Sequence, residues 1–236
     1  YVVHNPDYRL GMANQFSANG AVLLTLGFES KEIPVKEIET VVTGNPIRKS
    51  FLEVDSLDKA KIYEEFNLNP NKKTIFIVGG SQGATAVNEA TLEIIKDLTL
   101  VNDIQVIHQT GLTFETYLRR VPCKVLESSN YIAKPFFDSP EKCYHISNLV
   151  ISRAGAITTS EISILGKPTM FIPFPFAGNH QEANIMHLIN AGGAKLYRQK
   201  DLRAKSLLND IIDLINNKEK LDEMSRITKS FAKPHA

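Results

Sequence analysis

The chain has 236 residues, 43% hydrophobic and 22% charged, an ordinary globular composition with ample material for a buried core. Its 27 Lys and Arg against 26 Asp and Glu leave no basic field, so no nucleic-acid partner is expected. Its longest apolar run, GAVLLTLGF at 20–28, falls far short of the roughly 20 residues that span a bilayer.

Two cysteines, Cys123 and Cys143, are too few for a disulfide framework and too far apart for a zinc knuckle; they read as reduced thiols of a cytosolic protein. The first residue is Tyr1 rather than Met and no signal peptide is visible, so the chain is expected to begin inside a longer protein. In residues 1–44, RLGMANQFSAN reads as a helix and GAVLLTLGF and IETVVTG as strands, the tail of a domain whose beginning is missing.

After the polar turn NLNPNKKT (67–74), strands and helices alternate. TIFIVGG (74–80) is a buried strand, and in ATAVNEATLEIIKDL (84–98) Val87, Ala90, Leu92, Ile94, Ile95 and Leu98 fall near one helical face. DIQVIHQTG (103–111) is a strand ending in glycine, with a short helix over 113–120, and CKVLES (123–128) and YIAKPF (131–136) read as two more strands. DSPEKCYHIS (138–147) opens like a helix, with Asp138 or Ser139 as cap and Pro140 in its first turn. NLVISRAGA (148–156) is strand then loop, and TTSEISILG (158–166) a helix closed by Gly166. TMFIPF (169–174), NHQEANIMHLINAGG (179–193) and AKLYR (194–198) give strand, helix and strand, and helices at about 201–216 and 218–231 end the chain. Short apolar strands alternating with helices specify an α/β fold, a doubly wound parallel sheet, which binds ligands at the carboxyl ends of its strands.

Three loops at those ends carry candidate chemistry. In Gly79-Gly80-Ser81-Gln82-Gly83, glycines at a helix start let backbone N–H groups approach an anion such as pyrophosphate. The spacing is neither G-x-G-x-x-G nor a Walker A sequence, and a tight turn capped by Ser81 is the competing reading. In SRAGAITTSE (152–161), Glu161 has the acceptors to take both hydroxyl protons of a ribose, yet Thr158-x-x-Glu161 is also a capping box, which the pattern alone favours. In PFPFAGNHQEAN (173–184), Asn179 and Glu182 form a reciprocal cap, leaving His180 and Gln181 in the first turn, where a carboxamide suits sugar hydroxyls. Arg48 in TGNPIRKSF offers a fork of donors to phosphate, and His108 in HQTG is either a lining or a structural residue. Ser-His-Asp order, a metal-ligand cluster and a carboxylate pair of glycosidase type are all missing from the pattern.

Taken in order, GNPIR, GGSQGA, HQTG, SRAGAITTSEI, GKPTMFIPFP and NHQEAN resemble the MurG family across the chain from residue 4 on. Members of that family are peripheral glycosyltransferases that add N-acetylglucosamine (GlcNAc) to undecaprenyl-pyrophosphoryl-MurNAc-pentapeptide in peptidoglycan synthesis. The resemblance implies a GT-B fold, two Rossmann-like domains facing across a cleft, with 1–44 the remnant of the N-terminal acceptor-binding domain and 45–236 the UDP-sugar donor-binding domain. It implies that Arg48 and Ser81 contact the diphosphate region, with Gly80, Gln82, Gly83 and His180 nearby. It places the backbone of Phe137 at the uracil edge and wraps the nucleotide with Ala156, Ile157, Thr158, Thr159, Ser160 and Glu161. Glu161 is then on the ribose, against the capping reading, and Gln181 on the GlcNAc hydroxyls. Asp7 stands where the family has an asparagine on the donor side, and a carboxylate there would repel a diphosphate.

The implied reaction is an inverting displacement in which the MurNAc C4 hydroxyl attacks the anomeric carbon and UDP leaves. Without an Asp-x-Asp motif, no metal and no cofactor are expected; helix N-termini and Arg48 would offset the leaving charge. The general base is expected in the missing N-terminal part, so no catalytic residue is assigned here. The chain also stops at KPHA, short of the family's final crossing helix, and is expected to bind donor without turning it over alone. The expected location is peripheral, on the cytoplasmic face of the bacterial plasma membrane, through the missing domain. Alternatives are another UDP-sugar GT-B transferase acting on a glycolipid, or a non-catalytic donor-binding subunit of a split transferase. A Rossmann oxidoreductase is disfavoured, because G-x-G-x-x-G does not follow the strand at 74–79.

Overall fold

The structure is a computed structural model and describes residues 1–30, 38–80, 82–175 and 179–236. A three-stranded parallel sheet, ordered β1-β2-β3, is built from β1 (Val2–Asn5), β2 (Leu23–Leu26) and β3 (Thr40–Val42), with α1 (Met12–Ala18) after β1. Val3, Leu10, Leu24 and Leu26 form its own small core.

The rest of the chain folds around a second, wholly parallel sheet of β4 (Lys73–Val78), β5 (Ile104–Gln109), β6 (Tyr131–Lys134), β7 (Leu149–Ser152), β8 (Thr169–Phe171) and β9 (Ala194–Leu196). Its order is β6-β5-β4-β7-β8-β9. The chain therefore winds outward from β4 in one direction and from β7 in the other, so the crevice between the loops that follow these two strands is the topological switch point, where open α/β sheets take ligands.

Both faces of this sheet are covered, which is why its central strands β4 and β7 are mostly apolar. Alternate residues of β4 serve opposite cores: Ile75 and Ile77 join the layer under α4 (Thr85–Leu100) and α10 (Ala204–Ile215), while Phe76 and Val78 join the layer with Phe51, Tyr144, Ile162 and Ile185. That second layer is formed by α2 (Lys49–Leu52), α3 (Lys59–Glu65), α7 (Pro140–Ile146), α8 (Ala156–Leu165) and α9 (His180–Ala191), with α11 (Lys218–Ser230) against α8 and α9. Gly166 closes α8 in the left-handed conformation at φ 61°, as expected. Among the described residues no helix is long and apolar enough to cross a membrane.

CKVLES is not a strand. Residues Cys123–Leu126 form a short helix, α6, after α5 (Phe114–Leu118). Between residues 118 and 130 only Val121 and Val125 are buried, a spacing of four that suits a helical turn, and Pro122 supplies the N-cap position. Both cysteines are free thiols, Cys123 exposed and Cys143 buried.

The two sheets are joined by specific contacts. Asn45 is buried; its Oδ1 meets His4 Nε2 at 3.0 Å, and its amide nitrogen donates to the Pro6 carbonyl and to Ser160 Oγ, each at 3.0 Å. Asn184 of α9 accepts from the Tyr8 N–H and donates to Asp7 Oδ1, both at 2.8 Å. His187 lies between Phe28 and Phe231, at ring-centroid distances of 5.6 and 4.9 Å, and burial pushes its pKa down to about 4.

Candidate functional site

The glycine loop after β4 divides into two kinds of glycine. Gly83 has φ +78° and Gly111 φ +72°, and their backbones lie so close that a Cβ on Gly111 would sit 2.1 Å from the Gly83 nitrogen. These glycines are spent on loop-to-loop packing, which was not foreseen for Gly83. Gly80 differs: its φ is +86° and a Cβ there would meet nothing within 4 Å. It is the glycine that faces open space at the switch point. Gln82 is exposed beside it, and Ser81 lies outside the described residues.

Across the crevice, α8 begins at Ala156 with Gly155 in the N-cap position and no capping side chain. The Thr159 N–H already bonds the Gly155 carbonyl at 2.8 Å, which leaves the N–H groups of Ala156, Ile157 and Thr158 without helical acceptors. With the helix dipole behind them, these groups suit an anion. Because the helix starts two residues before the expected TTSE boundary, Thr158 lies inside its first turn and the capping box with Glu161 does not form.

Glu161 instead shares a helical face with Ile157, one turn earlier. It is buried, with Oε1 3.8 Å from Arg48 Nη2, and the half-exposed Arg48 guanidinium lies over the Phe51 ring at 5.1 Å. Burial raises the Glu161 carboxyl to about 7; Arg48 opposes that rise and Glu141 adds to it. The other members of the predicted nucleotide wrap diverge. Thr159 is buried, its hydroxyl without a hydrogen-bond partner, and Ser160 donates to the Ala156 carbonyl at 3.0 Å while accepting from Asn45. Consecutive residues of an α-helix point in different directions, and here Thr159 and Ser160 serve the core and the junction.

The start of α9 presents Gln181 to the same crevice. Its Oε1 accepts from Phe174 N–H at 2.9 Å and Ala154 N–H at 3.3 Å, so the amide is oriented by both flanking loops and its NH2 group is the end left for a ligand. The reciprocal cap expected of Asn179 and Glu182 is absent: Asn179 is left-handed at φ 59° with no side-chain cap, and Glu182 forks onto Arg198 at 2.5–3.2 Å. His180 is the first residue of α9. Asp7 is spent on Asn184, whose amide also donates to the Ala154 carbonyl at 3.2 Å.

Phe137 is buried against Phe66 and Phe76 in edge-on contacts. Its N–H donates to Gln109 Oε1 at 3.1 Å, so of its two backbone groups the carbonyl is the one left for a base edge. Asn45, Gln109 and Asn184 were not singled out from sequence. Each stands inside a motif, GNPIR, HQTG or NHQEAN, and an amide beside a functional side chain within such a motif is the signal that could have found them.

Comparison with known proteins fits this geometry. Residues 74–236 match the model of the glycosyltransferase family 28 C-terminal domain. Over its whole length the chain is 36% identical to a protein of Bacillus pumilus and 32% identical to one of Bacillus subtilis. Both are named UDP-N-acetylglucosamine--N-acetylmuramyl-(pentapeptide) pyrophosphoryl-undecaprenol N-acetylglucosamine transferase. The crystal structure of Acinetobacter baumannii MurG superposes with a TM-score of 0.74 at 27% identity, over 100% of this chain and 64% of that one. The chain likewise spans 64% of the length of the two Bacillus proteins.

Proposed function

This chain belongs to glycosyltransferase family 28, and from that premise we propose that it holds UDP-GlcNAc for inverting transfer of GlcNAc to the MurNAc C4 hydroxyl of undecaprenyl-pyrophosphoryl-MurNAc-pentapeptide, the step from lipid I to lipid II. Residues 45–236 are the donor-binding domain in this reading, and 1–44 belong to the acceptor-binding domain. The observation that carries it is the meeting, at one switch point, of an uncapped helix N-terminus, an open glycine and a buried carboxylate paired with an arginine.

Each group has a task matched to its chemistry. The N–H groups of Ala156, Ile157 and Thr158, with Arg48 and the Gly80 side of the glycine loop, receive the diphosphate and the negative charge that grows on it as the glycosidic bond breaks. Ser81 belongs to that loop in sequence. Ionised Glu161 accepts from the ribose diol, and the Phe137 carbonyl accepts from the uracil N3–H. The Gln181 NH2 donates to a GlcNAc hydroxyl. The attacking C4 hydroxyl approaches the anomeric carbon from the face opposite UDP, and its proton passes to a base outside these residues. The full enzyme works peripherally at the cytoplasmic face of the bacterial plasma membrane, on a lipid-linked acceptor.

Gln181→Ala tests the sugar assignment. The variant is expected to bind UDP as the parent does while losing about tenfold in UDP-GlcNAc affinity, the worth of one well-made hydrogen bond. Its preference for UDP-GlcNAc over UDP-GalNAc should shrink with it. Equal loss for UDP and UDP-GlcNAc in calorimetric titration would place Gln181 away from the sugar.

A further inference from the structure

HQTG (108–111) has no task in the donor reading, yet its residues connect both nucleotide-binding loops. Gln109 ends β5 and is buried. Its amide reaches in two directions: Oε1 accepts from Phe137 N–H at 3.1 Å, and Nε2 donates to the Gly80 carbonyl at 3.4 Å. One side chain thus touches the loop proposed for the base and the loop proposed for the diphosphate.

The turn that carries Gln109 is itself held. Asn88 of α4 donates to the Thr110 carbonyl and to Thr113 Oγ1, both at 2.9 Å, and its Oδ1 lies 3.1 Å from His108 Nε2. The opposite ring nitrogen of His108 is 3.0 Å from the Tyr131 hydroxyl, which is 3.1 Å from that of Tyr117. With both ring nitrogens engaged and its polar neighbours uncharged, the buried imidazole stays neutral. Gly111 then abuts Gly83 on the far side. A buried polar network with its members paired is rigid, so Gln109 is presented from a fixed base.

We infer that Gln109 is a positioning residue that sets the Phe137 backbone against the glycine loop and so determines discrimination of uracil from other bases. This rests on the donor-site reading. Uracil carries a proton at N3 where cytosine carries a lone pair, so a carbonyl held in one place accepts from the first and repels the second. A carbonyl free to tilt away loses that distinction.

The test is the ratio of CDP to UDP dissociation constants, with melting curves to establish folding, for the parent, Gln109→Met and Gln109→Glu. The parent is expected to favour UDP by about tenfold or more, one hydrogen bond exchanged for a repulsion. Gln109→Met, matched in shape but unable to bond either loop, should bring the ratio to within about twofold while UDP weakens about tenfold. Gln109→Glu keeps the acceptor for the Phe137 N–H, so it should retain the preference although both nucleotides bind less tightly. A folded Gln109→Met protein with the parent's ratio would overturn the inference and leave the donor site standing. A folded Gln109→Glu protein without preference would also overturn it, whether or not the methionine variant folds. If the parent binds neither nucleotide, the donor-site reading falls and the inference with it.

Discussion

Glu161→Gln is expected to abolish UDP-GlcNAc binding and, at the same time, to raise the melting temperature of the ligand-free protein at pH 8. The binding loss follows from the charge-assisted bonds that an ionised carboxylate gives to a diol and an amide does not; about 100-fold or more is expected. The stability gain follows from the cost of keeping that carboxylate ready. Its carboxyl is raised from 4.5 to about 7 because burial disfavours the anion. Below pH 4.5 the group is protonated both folded and unfolded and costs nothing. Between pH 4.5 and 7 the unfolded chain releases its proton first, so stability declines as pH rises, and above pH 7 the full penalty applies. At about 1.4 kcal/mol per pKa unit that penalty reaches about 3 kcal/mol. For a chain of this size that is roughly 6–12 °C in melting temperature. Glutamine removes the charge, so its advantage should be present at pH 8 and absent at pH 4.5. Equal shifts at both values would mean that Glu161 does not titrate as its surroundings require. Parent UDP-GlcNAc affinity should also weaken as pH falls below 7, since protonated Glu161 has lost an acceptor.

Alanine at Gly111 and at Gly80 should both weaken donor binding but differ in their cost to stability. Gly111→Ala drives a methyl group into the Gln82–Gly83 backbone, 2.1 Å from the Gly83 nitrogen, with a left-handed φ of +72° to maintain. Overpacking and the left-handed penalty together cost roughly 2–5 kcal/mol, or roughly 5–15 °C in melting temperature. Donor binding should fall with the displaced loop. Gly80→Ala meets no atom within 4 Å and carries only the conformational cost at φ +86°, about 1–2 kcal/mol. That variant should stay folded near the parent's melting temperature, yet lose the thermal shift given by UDP, because its methyl group occupies the space through which the diphosphate approaches. A Gly80→Ala protein that binds UDP like the parent would show that the donor's phosphates lie elsewhere.

Much of the architecture was readable from periodicity, because strands buried on both faces leave apolar runs that helices of period 3.6 do not imitate. Strand order was not readable. That β4 and β7 are neighbours, and hence that the Gly80 and Gly155 loops face one crevice, depends on pairings between residues more than 70 positions apart, such as Ile75 with Leu149. CKVLES was misread because six residues hold too few periods to separate a strand from a helical turn.

Within the candidate site, Glu161 pairs with Arg48 and the Gln181 amide is fixed by two loops, whereas residue-level pattern favours capping for Glu161. The pattern was misleading there because a capping box needs the helix to start at Thr158, and a start at Ala156 costs only two residues of boundary. Thr159 and Ser160 were carried along as members of a contiguous segment, although a helix turns such a segment through every direction. The amides of Asn45, Gln109 and Asn184 escape sequence reading for the opposite reason: their partners are distant in sequence, and no local window contains them.

The most direct test of the donor-site account is calorimetric titration of this chain with UDP-GlcNAc, repeated with Glu161→Gln. Saturable 1:1 binding by the parent and none by the variant is expected, with the variant shown to be folded by its melting curve. A folded parent that releases no heat with UDP-GlcNAc and gains no thermal stability from it, or a variant that binds as well as the parent, would contradict the claim that this crevice holds the sugar nucleotide.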